Sequence, residues 1–424
     1  MEITSRTSHL SGTVDVPGSK SHTIRAVIIA SLAHGESVIK KPLDSLDTRS
    51  CAAAVRAFGA DIVIEPSQWK VTGVGNDLRL PDNVIDVGNS GTTLYMIMGT
   101  AALARGHSVI TGDHQIRRRS ASPLIDALNS LGAEVISTRN NGMAPVVVKG
   151  RMRGGHTSVA GISSQYVSSL LMSCPLAAEN STLKITELNE RPYVHMTLDW
   201  LDYQGIQLEY DDDLSSIHIE GGQSYNAFSR SIPGDFSTAT FPLCAGALAG
   251  GEVILNGLEM DDPQGDKAVI DILSDMGAEI TFFGKSVSVR GGTLKGVDAD
   301  MNAIPDALPM LSVCACYAGG TTVLHNVKQA RMKETDRIAV MAAELKKLGA
   351  DVEELPDGLR IKGTGLKGGS VHGHGDHRVV MALTIAGFAA EGPVTVDTAE
   401  SAGITYPGFW DTMRSLGAKI EERV

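Results

Sequence analysis

The chain has 424 residues, a length that suggests two or three domains. Hydrophobic residues make up 42% and charged residues 20%, which supports large cores and excludes a disordered chain. A net charge of −12 argues against a nucleic-acid binder but leaves small anionic substrates open, because a local cluster of Arg and Lys can reverse the overall sign.

The first nine residues, Met1 to His9, lack the apolar core of a secretory signal. No apolar run approaches the roughly 18 residues that span a bilayer. These features predict a cytoplasmic protein with no membrane partner. Five cysteines, Cys51, Cys174, Cys244, Cys314 and Cys316, are an odd number, and four sit in small, apolar stretches. They read as buried free thiols, not as a disulfide frame.

Along the chain, a helix-like run that closes on Gly and gives way to an alternating apolar stretch recurs six times. The closing glycines are Gly59, Gly132, Gly205, Gly277, Gly349 and Gly417, spaced 73, 73, 72, 72 and 68 residues apart. A glycine there takes the left-handed conformation that ends a helix, and a strand then leaves. Upstream in each repeat lies a second helix of small residues that runs into a Gly-rich turn and a strand, as in Ala30-Ser31-Leu32-Ala33-His34-Gly35. The expected class is α/β (α+β), with six helix-strand repeats.

The starts of the six small-residue helices carry the informative polar side chains. In order they are Lys20 to Arg25, Asn89 to Thr92, Ser163 to Gln165, Asp235, Asp306, and Asp376 to Arg378. A helix N-terminus presents unpaired N–H groups and a partial positive charge, which suits an anion. Capping alone accounts for Asp235 and Ser163. It does not account for Lys20, Arg25 and Arg378, because cations oppose the helix dipole, so these three read as ligand-binding. The sequence from His372 to His377 invites a metal reading, but its mixed spacing around glycines favours a turn, and no metal is expected.

From Pro17 to Arg25 the chain resembles the enolpyruvyl transferase family. The match continues through Gly88-Asn89-Ser90-Gly91-Thr92, Ser163-Ser164-Gln165, Ile304-Pro305-Asp306-Ala307, Lys333-Glu334-Thr335-Asp336-Arg337 and Asp376-His377-Arg378. These segments occur in the family's order and cover essentially the whole chain. The resemblance implies two domains of three repeats each, with the active site in the cleft between them. One domain would join residues 1–18 to 235–424, and the other would comprise 19–234. A monomer is expected.

The implied reaction transfers the carboxyvinyl group of phosphoenolpyruvate to the 5-hydroxyl of shikimate 3-phosphate and releases phosphate. It is an addition followed by an elimination and needs no cofactor. By resemblance, Asp306 and Glu334 carry the protons, Lys20 bridges the reacting centre and the departing phosphate, and His377 lies near that phosphate. Lys20, Asn89, Gly91, Arg119, Gln165, Arg337 and Arg378 would hold phosphoenolpyruvate. Ser21, Arg25, Ser163, Ser164, Gln165, Tyr193, Asp306, Gln329 and Lys333 would contact shikimate 3-phosphate. Glyphosate is a further possible ligand. In Arg117-Arg118-Arg119, at least one of the first two is expected to be a solvated charge.

Four positions depart from the family pattern. Glu190 replaces a phosphate-binding serine, Gln329 an asparagine, Tyr95 an arginine and Ile404 a lysine. A carboxylate at 190 should repel a phosphate. Two relatives therefore compete with the main reading: a paralogue that uses another cyclic acceptor and a non-catalytic anion binder. A UDP-sugar transferase is disfavoured, because residues 113–122 lack that branch's cysteine.

Overall fold

The computed structural model describes residues 1–423. The chain divides into two compact units, one of Met1–Pro17 with Pro233 onward and one of Gly18–Ile232. Each has its own apolar core.

Twelve α-helices among the described residues, numbered in chain order, fall into two kinds. The first kind comprises α1 (Lys20–Ser31), α3 (Gly91–Leu103), α5 (Ser164–Ser173), α7 (Phe236–Leu248), α9 (Leu308–Tyr317) and α11 (His377–Ala386). These helices are buried nearly all round, and every residue of α3 and α11 is buried. Such burial requires apolar or small side chains on all faces. Gly99 of α3 shows why small residues recur, since a Cβ there would lie 2.7 Å from the Ser169 hydroxyl on α5.

The second kind comprises α2 (Leu46–Ala57), α4 (Ser122–Ser130), α6 (Arg191–Tyr203), α8 (Ala268–Met276), α10 (Arg337–Lys347) and α12 (Phe409–Ser415). These are amphipathic; in α10, Ile338, Met341, Ala342 and Leu345 face the core at helical spacing. All six closing glycines have positive φ, between 72° and 104°. Each is followed within a few residues by a strand, as Gly349 is by Asp351–Leu355.

The strands form six small sheets, five of four strands and one of five. A typical sheet pairs 134–137 with 146–149 and 146–149 with 107–111, both antiparallel, then adds 85–86 in parallel. In the Gly18–Ile232 unit, the last strands, 225–226 and 229–231, return to pair with 33–40 of its first repeat. The N-terminal residues play the corresponding part in the other unit. Glu2–Arg6 lies between 394–396 and 419–423, and Gly12–Asp15 pairs in parallel with 252–256. Backbone ladders thus tie the first residues to the C-terminal half of the chain. All five cysteines are buried and free. No helix among the described residues is long and apolar enough to cross a membrane.

Candidate active site

In the unit that begins at Pro233, three segments bring their charged residues to one place. Asp306 sits in the single 3-10 turn Pro305–Ala307 ahead of α9 and makes no capping bond there. Its carboxylate instead accepts from Arg337 Nη1 at 2.8 Å and pairs with Arg378 Nη2 at 3.1 Å. Lys333 Nζ lies 3.8 Å away. Glu334 accepts from Arg337 Nη2 at 2.6 Å. Asp376 caps α11 and accepts from the Nε and Nη2 of Arg337 at 2.9 and 3.0 Å.

Arg337, 1% exposed, is therefore surrounded by three carboxylates. Burial alone would lower its pKa, but Asp376, Glu334 and Asp306 outweigh that effect and raise it. Burial alone would raise the Asp306 carboxyl, yet Arg378, Lys333 and Arg337 together hold it far below the usual carboxylate range. Asp306 is an anion at any physiological pH. His377 behaves oppositely: burial drives its pKa down to about 3 against the pull of Glu334 and Asp376. It is a neutral imidazole, and neither ring nitrogen has a hydrogen-bond partner among the described residues. Gln329 is buried, and its amide donates to the Asn302 carbonyl at 2.9 Å.

The Gly18–Ile232 unit supplies a second group. Ser19, Ser90 and Ser163 cap α1, α3 and α5. Lys20, the first residue of α1, pairs with Asp47 at 3.1 Å. Gly91 begins α3, and a Cβ there would lie 2.3 Å from Arg119 Nη1. Asn89 donates to Asp113 and Gln115, and Gln165 to the Thr92 hydroxyl at 3.1 Å. Arg117 and Arg118 are exposed, whereas Arg119 is half-buried.

Arg25, read in the sequence as ligand-binding, is also tied into the packing of its own unit. It is 1% exposed and donates to Thr197 Oγ1, the Ser21 carbonyl, Ser168 Oγ and the Tyr193 carbonyl. Four of its five N–H donors are thus engaged within the chain, leaving one on Nη1. Burial lowers its pKa to about 10. Ser21 and Tyr193 accept from it through their carbonyls.

Glu190 is 2% exposed, has φ 56°, and accepts from the Ser164 hydroxyl at 2.8 Å. Tyr95 donates its hydroxyl to the Ser120 carbonyl at 3.0 Å and packs edge-on against Tyr166, which donates to the same carbonyl. Ile404 ends a 3-10 turn, Ala399–Ile404, and is half-buried.

Sequence reasoning gave no site role to Asp47, the partner of Lys20, or to Asp376. The only available signal for Asp376 was its place before His377-Arg378 at the start of a small-residue helix.

Within the Pro233 unit, Asp306, Glu334 and Asp376 are held by Arg337, Arg378 and Lys333, a concentration of cations suited to small anions. Residues 4–413 match the profile of the EPSP synthase (3-phosphoshikimate 1-carboxyvinyltransferase) family. A 3-phosphoshikimate 1-carboxyvinyltransferase of Acetivibrio thermocellus is 53% identical over 415 residues, covering 98% of each chain. One from Ruminiclostridium cellulolyticum is 50% identical over 414 residues, again with 98% of each chain covered. An EPSP synthase structure from Acinetobacter baumannii superposes with a TM-score of 0.84 at 26% identity, covering 100% of both chains. The chain belongs to the EPSP synthase family.

Proposed function

We infer that the chain is an enzyme with 3-phosphoshikimate 1-carboxyvinyltransferase activity, a step of aromatic amino acid biosynthesis. It joins the carboxyvinyl group of phosphoenolpyruvate to the 5-hydroxyl of shikimate 3-phosphate and releases phosphate. The observation that carries this reading is the charge cluster of Asp306, Glu334, Arg337 and Arg378, within a match that covers nearly the whole chain. Addition forms the bond from the acceptor oxygen to C2 while C3 gains a proton. Elimination then removes a proton from C3, expels phosphate and restores the alkene.

In this reading Asp306 takes the hydroxyl proton and Glu334 serves C3. Facing three cations, Asp306 is a weak base. When the carboxylate and phosphate of phosphoenolpyruvate engage Arg337 and Arg378, their negative charge offsets that field and Asp306 regains basicity. Substrate binding thereby activates the base. Neutral His377 contributes hydrogen bonding, not charge, at the departing phosphate. From the other unit, Lys20, Asn89, Gly91, Arg119 and Gln165 act on phosphoenolpyruvate. Ser21, Arg25, Ser163, Ser164 and Tyr193 act on shikimate 3-phosphate, with Gln329 and Lys333 joining from the Pro233 unit. Guanidinium donors suit phosphate and carboxylate oxygens. Purified protein is expected to release phosphate only when both substrates are present; no release would refute the assignment.

A further inference from the structure

Asp376 is more heavily used than a helix cap requires. Its Oδ1 accepts from the backbone N–H groups of Arg378 at 2.9 Å and Val379 at 3.4 Å, which is the capping function. Its Oδ2 makes no capping bond. It accepts from Arg337 Nε at 2.9 Å and from the Thr335 hydroxyl at 3.0 Å, both outside α11. Arg337 Nη2 adds a bond to Oδ1 at 3.0 Å, so the carboxylate grips one whole edge of the guanidinium. Asp376 is 0% exposed and Arg337 1%, so the pair is locked in a medium where it cannot exchange with water.

That grip fixes what remains of Arg337. A guanidinium has five N–H donors, and Asp376 takes the Nε proton and one on Nη2. The second Nη2 proton goes to Glu334 and one on Nη1 goes to Asp306. A planar group held along one edge has no remaining rotation, so both carboxylates meet donors whose positions Asp376 has set.

We propose that Asp376 is a positioning residue: it fixes the Arg337 guanidinium and, through it, the Asp306 and Glu334 carboxylates for the transfer reaction. The inference rests on the reading given above, in which Arg337 holds phosphoenolpyruvate and the two carboxylates carry protons. A residue that only capped α11 would be replaceable by Ser or Asn, which cap about as well as Asp. Neither replacement can accept from the Nε and Nη2 edge while also capping: Asn turns a donor toward a donor, and Ser lacks the second oxygen.

The test uses the full chain carrying Asp376→Asn, with Asp376→Ser as a second variant, after folding is verified by circular dichroism. Loss of charge-assisted hydrogen bonds to Arg337 should lower kcat/KM for phosphoenolpyruvate by about 10- to 100-fold. The KM for shikimate 3-phosphate should change less than that for phosphoenolpyruvate, because Asp376 holds Arg337 directly and reaches the acceptor only through Asp306. In an Arg337→Lys background, which cannot form the two-point grip, the same substitution should cost no more than about threefold. A full-sized loss in both backgrounds, or parental kcat/KM in the Asn and Ser variants, would overturn the proposal.

A second readout does not depend on turnover. In protein labelled with 15N-arginine, the Arg337 Nε–H resonance, identified by its absence in Arg337→Lys, should exchange slowly with solvent. It should lose that protection in Asp376→Asn, and retained protection would overturn the proposed grip. If the parent chain released no phosphate, the functional reading would fall, while this resonance would still decide whether Asp376 holds Arg337.

Discussion

Gly91→Ala separates a change at the site from a change in the fold. An alanine Cβ at this position would stand 2.3 Å from Arg119 Nη1 and 3.3 Å from its Cζ. Ordinary contact begins near 3.4 Å, so the guanidinium must withdraw by about 1 Å. The clash falls on the tip of a flexible side chain, which can move without disturbing the backbone. Gly91 begins α3 as the residue after its cap, Ser90, where alanine is a good helix former. Stability should therefore hold or rise, by at most about 1 kcal/mol. Displacing a substrate-holding group by that distance can cost as much as about 100-fold in rate. The KM for phosphoenolpyruvate should rise severalfold or more, with kcat/KM falling in step, while the melting temperature stays at or above that of the parent. Glyphosate inhibition, if the enzyme is sensitive, should weaken too. Steady-state phosphate release at varied phosphoenolpyruvate, paired with a thermal melt, provides the comparison. An unchanged KM would remove Arg119 from phosphoenolpyruvate binding and leave Gly91 a turn residue.

Asp306→Ala should abolish phosphate release while circular dichroism remains parental; activity near the parent rate would exclude Asp306 from proton transfer. Because the folded-state pKa of Asp306 lies below its unfolded value of about 4, its stabilisation is complete above that pH and fades as pH falls further. Denaturant titrations of the parent and Asp306→Asn should therefore converge below about pH 4. His377 titrates near 3 when folded but near 6.5 when unfolded, so the unfolded chain binds the extra proton between those values. The parent should lose stability relative to His377→Asn as pH falls from 6.5 toward 3; parallel stability curves would mean that the imidazole is not held neutral. Arg25→Ala should lower the melting temperature as well as activity, because it removes a buried side chain and its four hydrogen bonds; an unchanged melt would contradict the buried network. Glu190→Ser removes a buried carboxylate that engages Ser164 and should lower the KM for shikimate 3-phosphate; no change would place Glu190 outside acceptor binding.

The sequence alone determined the repeat. Six glycines at regular spacing require six left-handed helix ends, because only glycine takes that conformation without steric cost, and all six have positive φ. It also marked the helix starts as the polar positions, since side chains that cap or bind anions stand out against small apolar neighbours. Tertiary structure decided how those side chains are used. Arg25 and Arg337 both read as cations in the sequence, yet one is engaged by hydroxyls and carbonyls and the other by three carboxylates. The place of Asp376 at a helix start is local and visible in a single stretch of chain, whereas its hold on Arg337 joins residues 39 positions apart. Charge partners set by long-range packing leave no periodic trace, and that packing determines which carboxylate stays ionised and which imidazole stays neutral.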